Sequence, residues 1–411
     1  MATSFTRVDT TPGGAVSNPA LIPQYWGAKT FKEAFEKNPL TRFMGKESDA
    51  IIQVKMDLAK VQGDKVTFGI RNLLTGNGQT DDGTYEGNEE GMNFDSFTLE
   101  IHEHGHSVQL AGNMTEKSAA MNLRTEAKDA LAEWKARIGA RGIIDSLSGL
   151  QAHAFSGQVL GASALLTDAS GTNVIQTVQQ VAPTRSATAK RYFCGGQTTG
   201  GVVSRVANPS EVTAADNCLM GTKVIEQIKR MAKLEVASDG SHITPIRPIR
   251  IGGDEVYVLL VDPLQTKSLR ADSDWKAAMQ NAYIRGKDNP FFSGALAYWD
   301  GVAIFETQML HRRTGAGGTT GAEYFDSTTE ALASGVTMVR SLFLGAQSAC
   351  LAYGKMPVWT EGHLDWQRTR WGFHTNWIYG MKKVARYSTG ASPSLTSDSE
   401  FGCIIVDTAV N

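Results

Sequence analysis

The residues of this chain best placed to do chemistry are His102, Glu103, His104, Gly105 and His106, which satisfy the pattern H-E-x-x-H. On a helix that spacing sets two imidazoles on one face, where they can hold zinc. The glutamate is left to polarise a zinc-bound water. His102, Glu103 and His106 are therefore the candidate centre of a zinc metallopeptidase. Phe97, Leu99 and Ile101, however, alternate directly into the motif, which is the period of a strand, although Phe97, Ile101, His104 and Val108 also fit a helix. On a strand Glu103 points away from the three histidines. The extended form of the motif places glycine and histidine where this chain has Gln109 and Gly112. Glu126 and Glu133 could act as remote ligands, but both fit the solvated face of a helix. The segment is read as a polar strand. No catalytic, cofactor-binding or metal-ligating residue is assigned, and no cofactor is expected.

Other chemistries fail sooner. No G-x-x-x-x-G-K-[ST] or G-x-S-x-G occurs, and the glycine-rich stretch at 314–324 has no lysine to reach a phosphate. Asp81, Asp82, Glu86, Glu89 and Glu90 form an acidic run without the spacing of a calcium loop, so a solvated or partner-facing charge run is expected. His363 and His374 lie among Trp359, Trp366, Trp371 and Trp377, which suits packing or an interface better than a ligand cage. Arg368 and Arg370 alone do not make a nucleic-acid site. Lys plus Arg (40) nearly balances Asp plus Glu (42), which argues against a dedicated nucleic-acid binder. Cys194, Cys218, Cys350 and Cys403 are far apart, so a reduced, intracellular origin is expected. The N-terminus has no apolar core of a signal peptide, and the apolar run Val256 to Val261 is too short to span a bilayer. A soluble chain with no membrane partner is expected.

The elements that must position these residues follow from periodicity. Residues 1–27 read as an extended arm and 29–38 as a short helix. Strands are expected near 51–58, 65–70 and 94–101. The last two flank a segment with five glycines and the acidic run, which makes a projecting two-stranded arm. A long helix is expected from about 115 to 147, capped by Thr115, with Leu123, Ala127, Leu131, Trp134 and Ile138 on one face. Gly139 and Gly142 weaken its last turns. Residues 150–215 read as loops and short strands. Helices are expected at 211–235, 272–286 and in 328–353. Strands are expected at 256–261, 302–306, in Asn376 to Tyr387 and in Phe401 to Val410. Irregular alternation of strands and helices indicates an α+β fold.

In this order the segments resemble the major capsid proteins of tailed double-stranded DNA bacteriophages, of the N4-like kind. The likeness is carried by residues 41–91, by AGNMTEKSAAMNLRTEAKDALAEW, by NPFFSGALAYWDGVAIFE, by LFLGAQSACLAYGK and by FGCIIVDTA near the end. Together these blocks make up a little over a quarter of the chain and are spread from near its start to its end. The stretch 150–215 and the HEHGH segment depart from the family text.

The resemblance implies the Hong Kong 97 capsid fold. Residues 1–50 are then an N-terminal arm and 51–111 an extended hairpin loop that reaches over a neighbouring subunit. Residues 112–235 form a peripheral domain with a spine helix and an insertion at 150–215, residues 236–350 an axial domain, and 351–411 the return to the peripheral domain. It further implies a structural protein that assembles with itself as hexamers and pentamers into an icosahedral head. Such a head encloses double-stranded DNA without sequence-specific binding. Scaffolding, portal and decoration proteins are further candidate partners. The chain is placed in the virion after synthesis in the host bacterial cytoplasm. Asp81, Asp82, Glu86, Glu89, Glu90, Leu131 and Trp134 are the expected inter-subunit contacts. The metallopeptidase and a decoration or portal-associated protein are the competing classes.

Overall fold

The computed structural model describes residues 39–56, 63–71, 74, 76–81, 83–92, 94–110, 122–149, 177–179, 181, 186–199, 202–207, 211–212, 219–237, 240, 243–251, 254–282, 297–314, 336–363, 370–387 and 395–410. The expectations for the arm at 1–27, the helix at 29–38 and the loop at 315–324 lie outside them, as do Asp82, Cys218 and Trp366.

A 26-residue helix, α1 (Leu123–Ser148), lies against a six-stranded sheet. The long antiparallel pair Ala349–His363 and Trp371–Lys383 forms the middle of that sheet, with His102–Gln109 along the outer side of Trp371–Lys383. The helix begins later than the sequence suggests. Asn122, not Thr115, is its cap, accepting from the backbone N–H of Arg124 and Thr125. It also runs through Gly139 and Gly142 to a left-handed Gly149. Close packing offsets the poor propensity of Gly142: a Cβ there would lie 2.8 Å from the Met381 sulfur and 3.0 Å from a Val178 methyl.

The C-terminal turns of α1 enter the main core between this sheet and a nine-stranded sheet. In the latter, the order is Ala297–Trp299, Val302–Glu306, Asp254–Val261, Thr337–Leu344, Cys403–Val410, Tyr192–Thr199, Val202–Arg205. Its central strands are buried on both faces. Val256, Val258, Leu260, Leu342 and Ile405 face the core shared with α1. Tyr257, Leu259, Val261, Phe343 and Ile404 face α2 (Thr222–Lys233) and its neighbours. This double burial corrects the helical reading of 328–353, whose described part, 336–353, is strand and connecting turn. A strand covered on both sides carries a continuous apolar run rather than an alternation, and period alone cannot tell it from a buried helix.

Two helices follow strand Asp254–Val261. α3 (Pro263–Ala271) opens on a capping box between Asp262 and Gln265, with Pro263 in the first turn. Pro263 thus starts a helix as well as ending a strand. α4 (Ser273–Ala282) is capped by Asp272, which accepts from Asp274 N–H and also holds Thr222 N–H and Oγ1, each at 2.8 Å. α2 itself starts at Thr222, after an N-cap at Gly221, and is shorter than the 211–235 expectation. Among the described residues no helix is long and apolar enough to cross a membrane.

Polar and charged groups tie α1 to the nine-stranded sheet. Arg340 makes a bidentate pair with Asp407 at 2.8 and 2.7 Å and donates to the Ser148 carbonyl at the helix end. His311 lies 3.0 Å from Asp145, and both are buried.

The third sheet is the hairpin. Lys65–Arg71 and Phe94–Glu100 pair in antiparallel register and are extended by Ala385–Tyr387 and Leu395–Glu400. Phe97 and Leu99 face inward, as their alternation predicts. After Glu100 the chain crosses over strand Trp371–Lys383 and becomes strand His102–Gln109 of the six-stranded sheet. The crossing point is Gly380, where a Cβ would collide with the Glu100 carbonyl.

Candidate assembly surfaces

The HEHGH segment forms a strand, His102–Gln109, paired along its length with Trp371–Lys383. Its alternation separates the groups that zinc chemistry needs together. Glu103 lies on the open face, where Asn376 Nδ2 donates to it at 2.7 Å. His104 and His106 turn to the face covered by α1. The His106 ring lies 4.7 Å from the Trp134 ring. His104 sits among Trp134, Trp377 and Tyr379, with ring centroids at 5.5, 5.4 and 6.1 Å. Thr177 Oγ1 donates to the Tyr379 hydroxyl, which leaves that hydroxyl's own proton for His104 Nδ1 at 3.0 Å. Burial, with His106 adding to it, holds the His104 imidazole neutral down to about 4. The motif therefore serves as the packing layer between α1 and the sheet. Among the described residues no group of three or more His, Cys, Asp and Glu side chains converges as a metal site.

The acidic run occupies the end of the hairpin. Asp81, Glu86, Glu89 and Glu90 are all exposed there. Within this end, Gly76 N–H donates to Glu90 at 2.6 Å, Gly87 N–H to Glu89 at 2.9 Å, and Asn88 Nδ2 to the Thr84 carbonyl at 2.9 Å. Apolar side chains stand among the acids: Leu74 is 65% exposed, Tyr85 69% and Met92 59%. The sequence reading missed these three because they are isolated between glycines and acids and follow no period.

Leu131 and Trp134, the two helix residues expected at inter-subunit contacts, lie between α1 and its own sheet. Leu131 is 2% exposed and packs with Ala127 and Phe373, near Val108, Leu110, Trp359 and Trp371. The half-buried Trp134 meets Trp377 at 5.7 Å, edge to face. The helix carries a further feature that the sequence reading passed over. Arg124 lies 4.1 Å from the Trp371 ring, Lys128 5.4 Å from Trp359 and Lys135 5.7 Å from Trp377. Their i, i+4, i+11 spacing was visible, but the tryptophans beneath them lie more than two hundred residues away.

A family profile described as phage capsid protein matches residues 16–411. The chain belongs to the phage capsid protein family. A curated relative, the major capsid protein of Pseudomonas phage KPP25, is 27% identical over 344 residues, covering 83% of this chain and 84% of that protein. Among solved structures, the capsid of Ralstonia phage GP4 superposes with a TM-score of 0.70 at 23% identity, over 97% of each chain. The capsid of cyanophage Pam1 gives 0.67 at 19% identity, over 97% of this chain and 99% of that one. The acid-stable capsid of Helicobacter pylori bacteriophage KHP30 gives 0.65 at 14% identity, over 98% and 100%.

The fold is the Hong Kong 97 kind of phage capsid subunit. The capsid family assigns a structural role, in a shell built from copies of the chain in the phage head. The metallopeptidase reading finds no support in either the geometry or the relatives.

Proposed function

We propose that this capsid subunit assembles as hexamers and pentamers, with the hairpin end of each copy laid over an adjacent copy. The observation that carries this reading is the exposure of Leu74, Tyr85 and Met92 beside Asp81, Glu86, Glu89 and Glu90. A lone subunit leaves this apolar surface wet, whereas burial against a neighbour removes it from water at about 25 cal/mol per Å². Each contact is modest, and a closed shell sums many of them. Leu131 and Trp134 act from inside the subunit by fixing the helix on its sheet. Asp82 belongs with the other acids.

The division into arm 1–50, extended loop 51–111, peripheral domain 112–235 with its insertion at 150–215, axial domain 236–350 and return 351–411 is part of the same proposal. Strands Tyr192–Thr199 and Cys403–Val410 then join the parts through the nine-stranded sheet. The shell encloses double-stranded DNA and meets portal, scaffolding and decoration proteins. The subunit works by geometry, without a catalytic step, and is made in the host cytoplasm.

The test is negative-stain electron microscopy of the purified protein, with zinc measured on the same sample. Shells, tubes or six-fold rings without stoichiometric zinc support the reading. Uniform monomers carrying one zinc each, lost on His102→Ala, overturn it. Replacing Asp81, Asp82, Glu86, Glu89 and Glu90 together by lysine abolishes shells while leaving a folded subunit. Normal shells from that variant refute the role of the acids.

A further inference from the structure

Strand Ile52–Lys55 alternates between two chemistries. Ile52 and Val54 turn into the main core, while Gln53 and Lys55 share the opposite face. That face looks onto the base of the hairpin, where Phe97 packs with Cys350 and Ala352 of the six-stranded sheet. Beside this contact lies a cavity of about 330 Å³, lined on the hairpin side by Phe68, Ile70 and Phe97 and on the other by Gln53, Lys55 and Phe401. Small-molecule sites run from about 300 to 1,000 Å³, and this cavity is at the small end of that range. It has room for one side chain or one small molecule, whereas a helix about 10 Å across does not fit.

The polar groups of the cavity are donors. Arg247 Nη2 donates to Gln347 Oε1 at 3.1 Å, and Gln347 Nε2 donates to Gln53 Oε1 at 3.3 Å. A guanidinium cannot accept, so this relay fixes the orientation of both amides and leaves the Gln53 NH2 as a donor. Lys55, half-buried, adds an ammonium two residues along the same face. Among the described residues neither the Gln53 NH2 nor the Lys55 ammonium meets an acceptor, and no carboxylate lines the cavity. An apolar wall opposite two donors suits a molecule with a hydrocarbon body and one anionic head.

We propose that this cavity binds a small monoanionic amphiphile of the medium-chain carboxylate class. Its carboxylate pairs with Lys55 and Gln53, and its chain lies against Phe68, Ile70, Phe97 and Phe401. Bound there it bridges the hairpin and the body of one subunit, and so steadies the hairpin from its base. The site lies within a single copy and does not depend on the shell reading.

Octanoate is the probe and 1-octanol its uncharged counterpart, both titrated into unassembled full-length subunits by calorimetry. Hydrogen exchange read by mass spectrometry locates the binding. Octanoate should bind once per subunit and slow exchange in Lys65–Arg71 and Phe94–Glu100, the two strands of the hairpin. Lys55→Met, which keeps the stem and removes the charge, should lower octanoate affinity about tenfold, as the loss of one charge-assisted hydrogen bond does, and leave 1-octanol within about twofold. Should Lys55→Met fail to fold by circular dichroism, Gln53→Leu replaces it, with the same pattern expected. Absence of saturable octanoate binding overturns the proposal, as does binding that Lys55→Met leaves unchanged or that slows no exchange in the hairpin. Shells in which these strands are already protected and octanoate no longer binds also overturn it, and assign the cavity to a side chain of a neighbouring copy.

Discussion

The neutral imidazole of His104 makes the subunit acid-sensitive in a predictable window. The ring packs against Trp134, Trp377 and Tyr379, and it is held neutral down to about 4 against an ordinary 6.5. The folded pKa is depressed, so the unfolded chain binds the extra proton first. Stability is therefore complete above about 6.5 and falls as the pH drops towards about 4, below which both states are protonated. A displacement of that size corresponds to about 3 kcal/mol of differential proton binding. The ring is partly exposed, and solvent screening reduces this to about 2 kcal/mol. The perturbation is His104→Gln, which keeps a hydrogen-bonding group near Tyr379 and removes the titration. The assay is urea unfolding of unassembled subunits, followed by tryptophan fluorescence at pH 7.5 and 4.5. The wild type should lose about 2 kcal/mol more than His104→Gln between these pH values. Parallel losses in the two proteins refute the claim that His104 is buried as a neutral ring.

Other perturbations address the packing. Asp407→Asn leaves the fully buried Arg340 without its carboxylate and should destabilise the subunit by about 3–5 kcal/mol, measured by thermal unfolding. Leu131→Ala removes a side chain 2% exposed between α1 and the sheet, at a cost of about 3 kcal/mol by urea unfolding; a cost below about 1 kcal/mol contradicts its burial. Gly380→Ala drives a methyl into the Glu100 carbonyl at the crossing of the hairpin into the sheet. Little or no soluble folded subunit should be recovered, and a normal yield with an unchanged melting temperature counts against the crossing. Tyr85→Ala and Met92→Ala change surface residues of the lone subunit. Each should shift its stability by less than about 0.5 kcal/mol while lowering shell yield, and a stability loss without an assembly defect assigns those side chains to the subunit instead.

Local alternation was enough to read the hairpin, because Phe97 and Leu99 have one covered face and the intervening residues do not. The same alternation carried into His102–Gln109, but Phe97, Ile101, His104 and Val108 fitted a helix as well, so the strand reading leaned also on Gln109 and Gly112 standing where the extended metal motif has glycine and histidine. The middle of α1 was legible from Ala127, Leu131 and Ile138, but its start was not: Thr115 and Asn122 are both good cap residues by type, and capping preference alone does not choose between them. Gly142 read as a helix breaker because the side chains it admits, Met381 and Val178, are distant in sequence. Strand Thr337–Leu344 was missed because burial on both faces erases the period of two. α3 was hidden behind Pro263, which looks alike after a strand and at the first turn of a helix. Of the assembly surfaces, the acids were visible as composition. Tyr85 and Met92 carry meaning only once the hairpin is seen to expose them. The cation–indole contacts of α1 require Arg124, Lys128 and Lys135 to meet tryptophans from another part of the chain, and no local pattern announces that meeting.

The most direct test of the central claim is cryo-electron microscopy of purified phage heads with quantitative mass spectrometry of their proteins. The account predicts that this chain is the most abundant head protein, that its density builds the five- and six-membered rings of the shell, and that the hairpin end of each copy lies over an adjacent copy. A shell built by a different protein, with this chain present in only a few copies per head, contradicts it.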